Sequence, residues 1–158
     1  LAKVRSYIEL GPKEGATMLC GGLDQPGYAA DLPAHVKNGN FVWPTVFADV
    51  DNRMRIAQEE IFGPVLAITP FDDEDHAVEL ANGTEYGLAA ALWTQDGGRQ
   101  LRMARRLQSG QVFVNNYGAG GGIELPFGGV KASGHGREKG FEALYSFTTL
   151  KTVTIKHG

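Results

Sequence analysis

The sequence predicts an α/β fold, a parallel sheet with flanking helices. Three observations carry that reading. Apolar runs recur at residues 65–69, 88–93 and 111–114, each short enough for a strand. Between them lie two helical stripes, one begun at Asp72 and one at Asp96. That strand–helix–strand–helix–strand order implies parallel strands joined by right-handed crossovers.

The elements follow along the chain. Val4, Tyr7 and Ile8 fall at i, i+3 and i+4, one stripe of a short helix that Gly11-Pro12 should disturb. Residues 17–20 read as a strand ended by Gly21-Gly22, and residues 23–40 read as a surface loop with two prolines and Asn38-Gly39. Phe41-Val42-Trp43 and Thr45-Val46-Phe47 are β-branched and aromatic, a strand that Pro44 would bend and place at an edge. Residues 52–59 suit one or two helical turns. The continuous apolar run 65–69 is of the kind buried on both sheet faces. Asp72 should cap a helix carrying Ala77, Leu80 and Ala81, which Asn82-Gly83 stops. After Asp96, Leu101, Ala104 and Leu107 share one face, away from Arg99, Arg102, Arg105 and Arg106. Residues 115–136 are a glycine-rich loop, too long for a structureless connection without a function. Residues 137–145 suit a short helix. Residues 148–156 alternate, with one slip of phase after Leu150, and form a terminal strand with no partner nearby. The expected organisation is therefore a main unit over 1–146 and an oligomerisation strand over 147–158.

Composition bounds the function. The chain has 158 residues, 42% hydrophobic and 21% charged, which is a globular balance. A net charge of -3 argues against a nucleic-acid or anionic-membrane partner. No apolar run approaches the ~20 residues of a membrane span. The lone cysteine excludes an intrachain disulfide and fits a reducing, cytoplasmic setting. The chain opens at Leu1 without an initiator Met and reads as processed, truncated or incompletely represented.

Most of the chemistry-bearing residues have ordinary readings. Cys20 lies late in a strand with no histidine nearby, and reads as a buried structural thiol rather than a nucleophile. The four histidines are too scattered for a metal site. Ser133-Gly134-His135 lacks the nucleophile elbow of a hydrolase. Gly118-Ala-Gly120-Gly-Gly122 imitates a dinucleotide fingerprint, but Pro126 blocks the helix that must receive the pyrophosphate. The arginines of 99–106 read as a solvated face.

Glu59-Glu60-Ile61-Phe62-Gly63-Pro64 differs. Two carboxylates end a short helix, where the macrodipole disfavours them. Arg55, four residues earlier, can pair with Glu59. Glu60 finds Ile56 and Ala57 at the helical spacings before it, and no base. Beside a rigid Phe-Gly-Pro turn, Glu60 is placed to accept hydrogen bonds from a ligand's hydroxyls; the residues alone leave that reading open.

The phrase Glu59-Glu-Ile-Phe-Gly-Pro-Val65 resembles the signature of the NAD(P)-dependent aldehyde dehydrogenases. The resemblance runs on through Gly21-Gly22, Pro44-Thr-Val-Phe47, Ala81-Asn-Gly-Thr-Glu-Tyr-Gly-Leu88 and Gly110-Gln-Val-Phe-Val-Asn115. It continues in Pro126-Phe-Gly-Gly-Val-Lys-Ala-Ser-Gly134, Gly136-Arg-Glu138 and Thr149-Leu-Lys-Thr-Val153. The family implies a mechanism in which a cysteine thiolate attacks an aldehyde, hydride passes to the nicotinamide, and a glutamate-activated water hydrolyses the thioester.

The resemblance is to the last third of such an enzyme. It implies that the nucleophile, the general base and the oxyanion asparagine lie outside this chain, which then holds no catalytic residue. It also implies that Glu60 accepts the hydroxyls of the nicotinamide ribose and that Phe62 packs near the nicotinamide, the cofactor being NAD or NADP. Phe127 matches an aromatic at the inner end of the tunnel for a small-molecule aldehyde. Asn116, Tyr117 and the loop 118–125 match the tunnel mouth. The terminal strand matches one that pairs across a subunit interface in a homo-oligomer. The alternative is an inactive fragment that serves as a binding or assembly module.

Overall fold

Val4, Tyr7, Ile8 and Gly11 recur at i, i+3, i+4 and i+7, and in the computed structural model they are the buried face of helix α1 (Ala2–Glu14). Residues 1–24, 31, 33–36, 39–117 and 122–158 are described. The helix runs through Gly11-Pro12 instead of breaking there. Pro12 forfeits one ladder bond and crowds the carbonyl four residues before it, a cost of about 3 kcal/mol. Burying Ile8 and Tyr7 offsets this at roughly 1.5–3 kcal/mol for each side chain.

The described residues form two compact units, Leu1–Asp72 and Asp73–Gly158. In the first, β1 (Thr17–Cys20), β2 (Thr45–Ala48) and β3 (Val65–Ala67) make one sheet in that order, β1 antiparallel and β3 parallel to β2. The strand expected at an edge is therefore the central one. Pro44 falls just before it and removes no ladder donor; Thr45 N–H reaches Pro64 O at 2.9 Å. Phe47 is 0% exposed at the centre of a cluster with Val4, Tyr7, Ile8, Ala16, Val50, Ile56 and Ile61. The run at 65–69 is not buried on both faces. It lies at the sheet edge, and Leu66 is 57% exposed. Cys20 is exposed too, because all four residues of β1 are. The expectation of a buried thiol is corrected.

In the second unit, α3 (Glu74–Asn82) begins one residue later than expected, with Asp73 accepting the His76 N–H as cap. The strands β4 (Tyr86–Gly87) and β7 (Val130–Lys131) pair antiparallel, while β5 (Ala89–Leu92) and β6 (Gln111–Val114) pair parallel. Helix α4 (Gly97–Arg106) connects β5 to β6, the expected strand–helix–strand unit, and Asp96 caps it through Gly98 and Arg99 N–H. The fold is α/β, but among the described residues its strands lie in three small sheets rather than one parallel sheet. Pairing of β3 with β2 removes it from the β5–β6 ladder.

Met103 is the buried residue of α4, and Leu101, expected on the apolar face, is exposed. The arginines do more than face solvent. Arg102 Nε lies 2.9 Å and Arg99 Nε 3.3 Å from Glu74, and Arg106 lies 2.6 Å from Asp75, tying α4 to α3. Arg102's hydrogen bonds hold the Glu74 carboxyl down to about 2. The last helix, α5 (Glu142–Phe147), starts later than expected and buries none of its side chains. Residues 148–158 carry no regular structure, so the terminal strand does not form within this chain. A strand needs a ladder partner.

Candidate cofactor site

Helix α2 (Arg55–Gln58) stops before both carboxylates of the Glu59-Glu60 pair, since Glu59 is already extended at φ -109° and ψ 144°. Neither glutamate therefore ends the helix as the sequence suggested. The start of α2 is held from α1: Glu14 accepts the Arg55 and Ile56 N–H groups at 3.1 and 3.4 Å. Glu59 pairs with Arg55 as its spacing foretold, through Nε at 2.6 Å and Nη2 at 3.0 Å. The Tyr7 hydroxyl also donates to Glu59. Arg55's hydrogen bonds, then Tyr7's, hold the Glu59 carboxyl down to about 2, and the same bond raises the Tyr7 hydroxyl.

Glu60 is exposed, and among the described residues its carboxylate accepts no hydrogen bond. Its main-chain carbonyl is fixed instead, by Lys3 Nζ at 2.6 Å. The next residue, Ile61, is buried in the core cluster. Phe62 then adopts φ 58°, a left-handed conformation that a bulky side chain seldom takes, and is 84% exposed. Such a residue costs of order 1–3 kcal/mol and persists where its surroundings over-determine it. They do here. A Cβ on Gly63 would lie 2.6 Å from Val4 Cγ2, so glycine is required where the turn meets α1. Pro64 O is bonded to Thr45 N–H and Gly63 O to Val65 N–H at 2.7 Å.

The remaining predicted residues lie in the second unit. Strand β6 ends at Val114, and Asn115 after it takes φ 53° and clamps Thr94 through both ends of its amide, at 2.9 and 3.1 Å. Sequence reasoning passed over this residue, although asparagine directly after a strand is a signal for a left-handed turn. Asn116 and Tyr117 follow, both exposed, with Tyr117 N–H donating to Asn116 Oδ1 at 2.8 Å. Residues 118–121 of the expected tunnel-mouth loop lie outside the described residues. Phe127 is bridged to Glu138 by two main-chain bonds and has Lys139 Nζ 5.6 Å from its ring centroid. Among the described residues no hydrogen bond or ring contact joins Tyr117 to Phe127. Ser133 Oγ accepts the Gly87 N–H at 3.0 Å, a structural role.

The chain is similar to known proteins over nearly its whole length. The model of the aldehyde dehydrogenase family matches residues 1–153. The chain is 57% identical to 5-carboxymethyl-2-hydroxymuconate semialdehyde dehydrogenase of Escherichia coli over 87% of its own length and 28% of that protein's. It is 46% identical to 2-aminomuconic semialdehyde dehydrogenase of Mus musculus over 99% of its length and 31% of that protein's. Its structure superimposes on a Mycobacterium tuberculosis aldehyde dehydrogenase complexed with NAD+ at a TM-score of 0.87 and 44% identity, over 99% of this chain and 30% of that one. The chain thus spans about a third of the length of the relatives it matches. A family match over nearly every residue, with one fold and identities this high, means that the chain belongs to the aldehyde dehydrogenase family.

Proposed function

We propose that this chain is the C-terminal portion of an NAD(P)-dependent aldehyde dehydrogenase that oxidises an aldehyde to a carboxylic acid through a cysteine thioester, the cysteine lying outside these residues. The observation that carries the reading is Glu60. Its carboxylate is exposed and accepts nothing from the described residues, while the backbone on both sides is anchored. A carboxylate with its lone pairs open suits the paired hydroxyls of a ribose. Phe62, held outward, adds an apolar face beside it.

When bound, NAD or NADP supplies the hydride acceptor. The part of this chain is to orient. Glu60 accepts the ribose hydroxyl hydrogens and Phe62 restricts the ring beside them. Asn116, Tyr117 and Phe127 line the aldehyde's path. The Escherichia coli and Mus musculus relatives are semialdehyde dehydrogenases by name, so an aldehyde that already bears a carboxylate is the substrate class to try first.

Residues 147–158 are the interface segment of a homo-oligomer. The apolar side chains there are open, Leu150 at 95% exposure, with Val153 and Ile155 also exposed. The second unit buries few apolar side chains, Val78 and Met103 among the described residues. Surface of that kind marks a face that other protein covers.

The test is to assay the chain alone and the full-length enzyme with NAD+, NADP+ and a panel of semialdehydes, following reduced cofactor by absorbance. Turnover by the full-length enzyme alone is expected. Turnover by the purified chain places the nucleophile within it and overturns the reading; a full-length enzyme inert toward every aldehyde does so as well.

A further inference from the structure

We infer that Lys3 and Tyr7, on the first turns of α1, are positioning residues that preset the Glu60 carboxylate and the Phe62 ring for the cofactor; this rests on the cofactor reading of Glu60. Four contacts join α1 to the segment 59–63. Lys3 Nζ donates to the Glu60 carbonyl oxygen at 2.6 Å, across 57 positions of sequence. The Tyr7 hydroxyl donates to Glu59. The side chain of Val4, between them on the same face, occupies the space a Cβ on Gly63 would need. Ile61 packs into the cluster that holds Val4 and Tyr7.

The pattern is selective. Glu59, the Glu60 carbonyl, Ile61 and Gly63 are each tied to α1 or the core, while the Glu60 carboxylate and the Phe62 ring are left open. Those two groups project from a turn with little freedom left to lose. A preset acceptor binds more tightly than a mobile one, because ordering it on binding costs affinity. The support is itself braced. Two cations lie over the Tyr7 ring, Lys3 Nζ and Arg55 Cζ, each 5.9 Å from its centroid. Arg55 grips Glu59 with two bonds, so the Tyr7 hydroxyl meets a carboxylate already fixed in place. Their effect reaches the cofactor through the main chain of Glu60.

The experiment compares Lys3→Met, Lys3→Arg, Tyr7→Phe and Glu60→Gln in the full-length enzyme. NAD+ dissociation constants come from fluorescence titration, KM values for NAD+ and aldehyde from steady-state rates, and folding from thermal melts. Lys3→Met removes a charged donor and should weaken NAD+ binding about tenfold. The aldehyde KM should stay within about twofold of the parent, and Lys3→Arg should restore most of the NAD+ affinity. Tyr7→Phe should weaken NAD+ by about threefold or more. Lys3 is exposed, so Lys3→Met decides the question even where Tyr7→Phe fails to fold. Unchanged NAD+ affinity in Lys3→Met, with Glu60→Gln impaired, overturns the positioning role alone. Unchanged affinity in Glu60→Gln overturns the cofactor reading itself, and the positioning role with it.

Discussion

The Cβ that Gly110 lacks would lie 1.8 Å from the carbonyl oxygen of Gly128. Two stretches of main chain meet there, and Gly110 N–H also reaches Gly87 O at 2.9 Å. Backbone cannot rotate away as a side chain can. Gly110→Ala should therefore destabilise the enzyme by about 1–3 kcal/mol or more, as overpacking does. A thermal melt of the variant checks this, and an unchanged midpoint shows that the two loops separate easily.

The Arg55–Glu59 pair predicts an acid-side dependence. The Glu59 carboxyl lies at about 2 in the folded chain against an ordinary 4.5, because Arg55 and then Tyr7 bond its charged form. A depressed carboxyl stabilises the fold fully above the ordinary value and loses that contribution as pH falls toward the folded one. The stability difference between the parent and Glu59→Gln should thus be constant above about pH 4.5 and shrink toward pH 2. Urea midpoints across that range measure it. A difference that stays constant to the acid end means that Glu59 titrates normally.

That pair was legible in the sequence, and the reason shows what local reading can reach. Arg55 and Glu59 are four residues apart, as are the partners in a helical turn, and the Asp96 cap and the parallel β5–α4–β6 unit are equally local. That the Glu60 carboxylate accepts no hydrogen bond among the described residues was legible too, from the apolar Ile56 and Ala57 before it. What failed depended on distant chain. The 41–47 segment did not announce that β1 and β3 would flank it, so a proline before its first ladder residue was read as an edge signal. The exposure of Cys20 depends on what covers β1, and nothing in Thr17-Met-Leu-Cys20 encodes that. The hold of Lys3 on Glu60 spans 57 residues and has no local trace.

Exposed Cys20 yields a simple chemical prediction. In the native full-length enzyme a small alkylating reagent should label it, and Cys20→Ser should leave turnover within a few-fold. Peptide mass spectrometry and a rate assay read the two halves. Loss of turnover by several orders of magnitude identifies Cys20 as the nucleophile, contrary to its place in β1.

The segment 147–158 should govern assembly. Deleting it from the full-length enzyme removes the apolar Leu150, Val153 and Ile155 and should shift the oligomer toward smaller species. Sizing chromatography with light scattering reports the change. The same mass with and without the segment places the interface elsewhere.

The central claim is that Glu60, and not its neighbour Glu59, serves the cofactor. Single-turnover hydride transfer in the full-length enzyme, with Glu60→Gln and Glu59→Gln side by side, tests it most directly. Glu60→Gln keeps the shape and weakens charge-assisted bonds worth about 1.5–3 kcal/mol, so hydride transfer should slow about tenfold or more while aldehyde binding changes little. Glu59→Gln, whose carboxylate is already engaged by Arg55 and Tyr7, should slow it less. A larger defect in Glu59→Gln than in Glu60→Gln would contradict the account.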